Sequence, residues 1–153
     1  MVEIMREKEI LLVEDNEDDV ILTKRALNQA KIMNKIVVVK DGVEAIEYLF
    51  GNSTKTSPET KSCPTLILLD LNLPKIDGLQ VLQQIRKDSR TCMCPVVILT
   101  SSQEEQDIIA GYKLGANSYI RKPVNFSQFV EAIQQLGLYW LVLNEPPPPT
   151  NIS

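Results

Sequence analysis

The 153 residues carry 20 acidic and 16 basic side chains, a net charge of −4, and no histidine. This length suits one domain with a substantial core, the acidic balance argues against direct DNA binding, which needs a basic stripe, and the missing histidine excludes Ser-His-Asp and Cys-His nucleophiles and any phosphohistidine carrier. No run of about 18 apolar residues could cross a membrane, and the charged stretch 1–9 lacks a signal-peptide core, so a cytoplasmic location is expected.

Along the chain, strand and helix signals alternate five times. Val/Ile/Leu runs predict strands at Glu9–Val13, Ile36–Val39, Thr65–Leu69, Val96–Leu99 and Ser118–Ile120, each short and apolar enough to be buried in a parallel sheet. Helices fill the gaps. Asp41-Gly42-Val43-Glu44 has the spacing of a capping box opening a short helix to about Phe50. The stretch 51–64 is a polar loop and reads as a surface insertion. Leu79, Leu82 and Ile85 mark the apolar face of the next helix, and Gly115 marks the end of the one after it. Phe126, Phe129, Val130, Ile133, Leu136 and Trp140 keep the 3.6-residue period through the last helix. Residues 144–153 form a proline-rich tail. Three cysteines, an odd number, fit free thiols in a reducing compartment better than a disulfide framework. Alternating βα units imply a doubly wound α/β fold: a five-stranded parallel sheet in three layers, flavodoxin-like (βα)5, as one domain over 1–153.

Ligands of open α/β sheets sit beyond the carboxyl ends of the strands. Glu14 and Asp15 close the first strand and Asp70 closes the third, so three carboxylates should share one crevice. Oxygen-only ligands suit Mg²⁺ or Mn²⁺. Thr100, Ser101 and Ser102 follow the fourth strand, and Arg121, Lys122 and Pro123 the fifth. Taken singly, Asp15 reads equally as a helix cap, Asp70 as a strand terminus, and Thr100 and Lys122 as surface polar residues.

These features in this order resemble the receiver domain of two-component response regulators, from about Lys8 to Gly137. The resemblance implies that Asp70 is the phosphoacceptor. It implies direct metal ligation by Asp15, Asp70 and the backbone carbonyl of Asn72, with Glu14 holding a metal-bound water. Lys122 and Thr100 would each take one phosphoryl oxygen. It further implies a cis Lys122–Pro123 bond, and a switch in which Tyr119 turns inward as Thr100 is drawn to the phosphoryl group.

No DNA-binding or enzymatic segment follows, so a regulatory role, not an enzymatic one, with output by protein contact is expected. Leu138, Tyr139, Trp140 and Leu141 extend the last helix with an apolar run suited to a homodimer interface. The acidic opening Glu14–Asp19, the long loop before the third strand and this extension look like the cyanobacterial phytochrome-associated single-domain response regulators. That likeness implies a histidine kinase of the phytochrome type as partner. Two other readings stand beside this one. One is a constitutive interaction module that keeps the fold and ignores phosphate. The other is a metal-dependent hydrolase, which would need an acid-base group and a substrate cap that the sequence does not show.

Overall fold

A computed structural model describes residues 9–51, 63–122 and 125–147. Its strands are β1 (Ile10–Val13), β2 (Ile36–Val39), β3 (Leu66–Leu69), β4 (Val96–Thr100) and β5 (Ser118–Arg121). They form one parallel sheet in the order β2-β1-β3-β4-β5. The helices are α1 (Glu17–Gln29), α2 (Gly42–Phe50), α3 (Gly78–Lys87), α4 (Glu105–Lys113) and α5 (Phe126–Leu138), with a π-helical turn at Tyr139–Leu143.

Strand position explains strand sequence. The three central strands are buried throughout, because helices cover both faces, and they are almost wholly Val, Ile and Leu. The edge strands are mostly half-buried, and β5 accordingly carries Ser118 and Arg121. Leu11, Val13, Ile67 and Ile98 pack beneath α2 and α3 with Ala45, Leu49, Leu82 and Ile85. Ile10, Leu12, Leu66 and Val97 pack beneath α1 and α5 with Leu27, Phe129 and Ile133. Order in the sheet reverses at β1, so the crevice opens beyond the carboxyl ends of β1 and β3.

Local chemistry fixes the helix starts. Asn16, Asp41, Asp77 and Asn125 cap α1, α2, α3 and α5, each accepting a hydrogen bond from the backbone three residues on. The box expected at Asp41 is altered: Glu44 accepts from the amide of Lys40, one residue before the cap. The reciprocal box forms instead at Asp77 and Gln80. Gly115 follows α4 with φ +101°, a left-handed conformation that a side chain would strain.

Two expectations change. Cys63 and Cys94 form a disulfide with a Cα–Cα distance of 5.7 Å, leaving Cys92 as the free thiol. Pairing of β3 with β4 sets Ile67 opposite Val96 and so brings the segments before the two strands together, a non-local juxtaposition that cysteine spacing does not reveal. The thiol argument for a reducing compartment falls with it. The apolar extension is also divided. Trp140 and Leu141 pack on the α1–α5 core, whereas Leu138 and Tyr139 are about half exposed. The Lys122–Pro123 bond, nearly all of the 51–64 loop, and the tail beyond Pro147 lie outside the described residues. Among the described residues no helix is long and apolar enough to cross a membrane.

Candidate functional site

Each strand of the pair β1–β3 delivers carboxylates to the crevice. Glu14 follows β1 and is 2% exposed, Asp70 follows β3 and is 6% exposed; Asp15, next after Glu14, is exposed to solvent. One oxygen of each of the three can be chosen so that all lie within 4.8 Å of one another. Asp15 is not the helix cap, a role taken by Asn16, so its carboxylate remains at the cluster.

Backbone geometry holds Asp70 in place. Asn72 donates its amide to Asp70 Oδ1 at 3.3 Å. The loop behind it folds back through Gly78, whose amide donates to the Leu71 carbonyl at 3.0 Å. A Cβ at Gly78 would stand 2.3 Å from the Asp70 carbonyl, so only glycine permits this approach. Lys75 pairs with Asp41 at 3.3 Å and ties the same loop to the start of α2. Beside the carboxylates lies a cleft of about 480 Å³, bounded by Asp15, Asn72, Pro74, Asp77 and Asp107.

Lys122 reaches in from the end of β5. Its ammonium donates to Glu14 Oε1 at 2.6 Å, Asp19 Oδ2 at 2.7 Å and Asp70 Oδ2 at 3.4 Å. Burial works against the ammonium, but the bonds to Asp19 and Glu14 outweigh it and raise its pKa. Burial raises the Glu14 pKa to about 7 against the opposing Lys122 hydrogen bond, and the Asp70 charge adds to the rise. One cation among four carboxylates leaves excess negative charge. That surplus, with oxygen-only donors, fits a small hard divalent cation.

Thr100 ends β4 fully buried, its hydroxyl accepting from the Ser102 amide at 3.4 Å. Tyr119 on β5 is half-buried and donates its hydroxyl to the Ser102 carbonyl at 3.3 Å. Ser102 in turn donates to Asp107 of α4 at 2.6 Å. The chain Thr100–Ser102–Tyr119 therefore joins the site to the β4–α4 loop. Burial raises the Tyr119 pKa, so its proton stays in place at neutral pH.

The structure thus gathers Glu14, Asp15, Asp70 and Lys122, with Asn72 behind Asp70, and places Thr100 at the end of β4 and Tyr119 on β5, both bonded to Ser102 of the β4–α4 loop. Sequence reasoning gave Asp19 no role in the site, and it placed Ser102 after the fourth strand without its bonds to Tyr119 and Asp107. Asp19 had no distinguishing signal: it stands with Glu17 and Asp18 in the acidic first turn of α1.

A family model described as the response regulator receiver domain matches residues 10–134. The chain is 37% identical over 140 residues to the probable methanogenesis regulatory protein FilR2 of Methanothrix harundinacea, covering 92% of this chain and 88% of that protein. It is 38% identical over 134 residues to response regulator Rcp1 of Synechocystis sp., covering 88% and 89%. The crystal structure of the Mn²⁺-bound form of Rcp1 superposes with a TM-score of 0.80 over 92% of this chain and 99% of that one. The phosphorylated cyanobacterial phytochrome response regulator RcpA superposes with a TM-score of 0.82 at 40% identity, covering 93% and 99%.

Proposed function

This chain belongs to the response regulator receiver domain family, and from that premise we propose that it accepts a phosphoryl group on Asp70 from a histidine kinase and signals by protein contact, without turning over a substrate. The observation that carries the reading is the convergence of Lys122 on Glu14 and Asp70 beside Asp15. A constitutive interaction module would have no need of this charge arrangement.

Asp70 Oδ attacks the phosphorus of the phosphohistidine. The P–N bond breaks, an acyl phosphate forms, and the departing imidazole takes a proton. The Asn72 amide keeps Asp70 oriented for attack. Lys122 donates to one phosphoryl oxygen and the Thr100 hydroxyl to another, offsetting charge that spreads over the equatorial oxygens. Asp15, Asp70 and the Asn72 carbonyl would hold Mg²⁺ or Mn²⁺, with Glu14 on a bound water. When bound, the ion supplies Lewis-acid charge neutralisation.

Tyr119 is the proposed readout. Movement of Thr100 toward the phosphoryl group would pull on the Ser102 segment, to which the Tyr119 hydroxyl is bonded. Two packings of one loop are thereby biased by a local charge.

Labelling with a small phosphodonor tests the chemistry. One acid-stable, base-labile adduct should form, only with Mg²⁺ or Mn²⁺ present, and a chelator should prevent it. Turnover of many equivalents would favour the hydrolase. Asp15→Asn removes one of two direct carboxylate ligands and should weaken Mn²⁺ binding on the order of tenfold or more. Unchanged affinity by titration calorimetry would contradict the proposed ligand set.

A phytochrome-type kinase is proposed as the phosphodonor, supported by the likeness to Rcp1 and RcpA. Such a kinase should label this chain faster than an unrelated histidine kinase at equal concentration. Homodimerisation is proposed through the end of α5 and the π-helical turn. Leu138, Tyr139, Val142 and Leu143 are 53%, 49%, 69% and 65% exposed there, while Trp140 anchors the turn to the core and meets Tyr139 edge-on at 5.0 Å between ring centroids. Each outward side chain buried in a two-fold contact contributes roughly 1.5–3 kcal/mol before association costs. Leu138→Ser combined with Tyr139→Ser should therefore shift sedimentation from dimer to monomer while leaving Asp70 labelling intact. A wild-type monomer at high micromolar concentration, phosphorylated or not, would remove the dimer reading.

A further inference from the structure

Lys122 is shared unequally. Its ammonium has three N–H groups. Two make short charge-assisted bonds, to Glu14 at 2.6 Å and Asp19 at 2.7 Å, and the contact to Asp70 is longer, at 3.4 Å. Glu14 and Asp70 belong with Asp15 to the carboxylate group that fits a cation; Asp19 is not a member of it. Asp19 also differs in burial. Its side chain is 28% exposed, against 2% for Glu14 and 7% for Asp70. Its amide donates to the Asn16 cap at 3.0 Å, so the first turn of α1 fixes where its carboxylate can reach.

A phosphoryl oxygen on Asp70 must recruit an N–H from this ammonium. Releasing the bond to Glu14 would leave a buried carboxylate without its cation, which is costly. Releasing the bond to Asp19 exposes a carboxylate that water can reach, which is the cheaper exchange. Asp19 is therefore where the lysine lets go.

We propose that Asp19 is a positioning residue that acts through Lys122: in the unphosphorylated protein it tethers the ammonium toward α1 and away from Asp70, and so slows phosphoryl capture. The proposal rests on the reading of Asp70 as phosphoacceptor. Asp19→Asn keeps the shape and removes the charge, leaving the ammonium to Glu14 and Asp70. Asp19→Glu keeps the charge.

The test compares Asp70 labelling by acetyl phosphate and Mg²⁺ in the full chain. Wild type, Asp19→Asn and Asp19→Glu are each measured with Lys122 present and in a Lys122→Ala background. Asp19→Asn should label roughly three- to tenfold faster, the scale of one charge-assisted hydrogen bond in a partly exposed site. Asp19→Glu should return to within about twofold of wild type, and in the Lys122→Ala background Asp19→Asn should change the rate by less than about twofold, because an effect carried by Lys122 vanishes with it. A second readout needs no phosphodonor: in ¹⁵N-lysine spectra, the Lys122 ammonium protons should exchange with water faster in Asp19→Asn and remain protected in Asp19→Glu.

An unchanged or slower Asp19→Asn overturns the tether. So does acceleration of equal size without Lys122, which would mean that Asp19 merely repels the donor. If wild type fails to label at all, the phosphoacceptor reading fails, and the ammonium spectra still decide the tether: identical exchange in wild type and Asp19→Asn refutes it.

Discussion

Replacing Asp70 with Asn should abolish phosphoryl labelling and leave the fold in place. The amide oxygen has the shape to accept from the Asn72 amide, the bond Asp70 now accepts at 3.3 Å, but a neutral amide is no nucleophile toward phosphorus. The substitution also removes one of the clustered negative charges. Asp70 helps to hold the Glu14 pKa up to about 7, so the variant should relax this carboxyl downward, and its thermal midpoint should match or exceed that of the wild type at neutral pH. The sign follows from the charges: a buried anion is removed from an anionic cluster. Labelling at the wild-type rate would show that a different carboxylate accepts the group.

The largest effect on stability should come from Arg86, at the opposite end of the sheet. From α3 its guanidinium donates to the Gly115 carbonyl at 2.9 Å, the Cys92 and Cys94 carbonyls at 3.0 and 2.8 Å, and Asn117 Oδ1 at 2.9 Å. Asn117 Oδ1 also accepts from the Val96 amide at 2.8 Å, which begins β4. One side chain thus satisfies the carbonyls of two loops and steadies the starts of two strands. Burial lowers its pKa, but a guanidinium stays charged at any pH the fold survives. Arg86→Ala would leave several half-buried acceptors without a partner, a loss of roughly 3–5 kcal/mol by summing net hydrogen-bond contributions and lost stem packing. Arg86→Lys should recover less than half of that, because a point ammonium cannot span a planar fork of acceptors. Urea denaturation, with the disulfide intact in all samples, measures both. A loss below about 1 kcal/mol for Arg86→Ala would mean that water replaces these bonds without penalty.

The contrast between these two residues shows what a sequence carries. Asp70, Asp15 and Glu14 were legible because each ends an apolar run, and strand ends in a parallel sheet share one edge. Lys122 was legible by the same rule. The central strands were legible because burial on both faces demands an unbroken Val/Ile/Leu composition. Arg86 was not, since a helical arginine looks like any solvated charge until β4 and β5 are in place. The Cys63–Cys94 disulfide likewise depends on β3–β4 register, and cysteine counting pointed away from it. Asp19 belonged to an acidic run whose members look alike in sequence, and only the reach of Lys122 from β5 distinguishes it. In the extension after α5, periodicity showed apolar side chains all around the axis. It could not show that the π-helical turn seats Trp140 and Leu141 on the chain's own core and leaves Leu138 and Tyr139 outward.

Transfer of a phosphoryl group to Asp70 is the step from which the proposed roles of Lys122, Thr100 and Tyr119 follow. Mass spectrometry of the protein after incubation with a phosphorylated histidine kinase and Mg²⁺, with peptides kept at acidic pH to preserve an acyl phosphate, tests it most directly. One phosphoryl group per chain is expected, on the peptide that carries Asp70, absent when a chelator is added before the kinase. A phosphoryl group stably located on any other residue, or none from any kinase or small donor in the presence of metal, would contradict it.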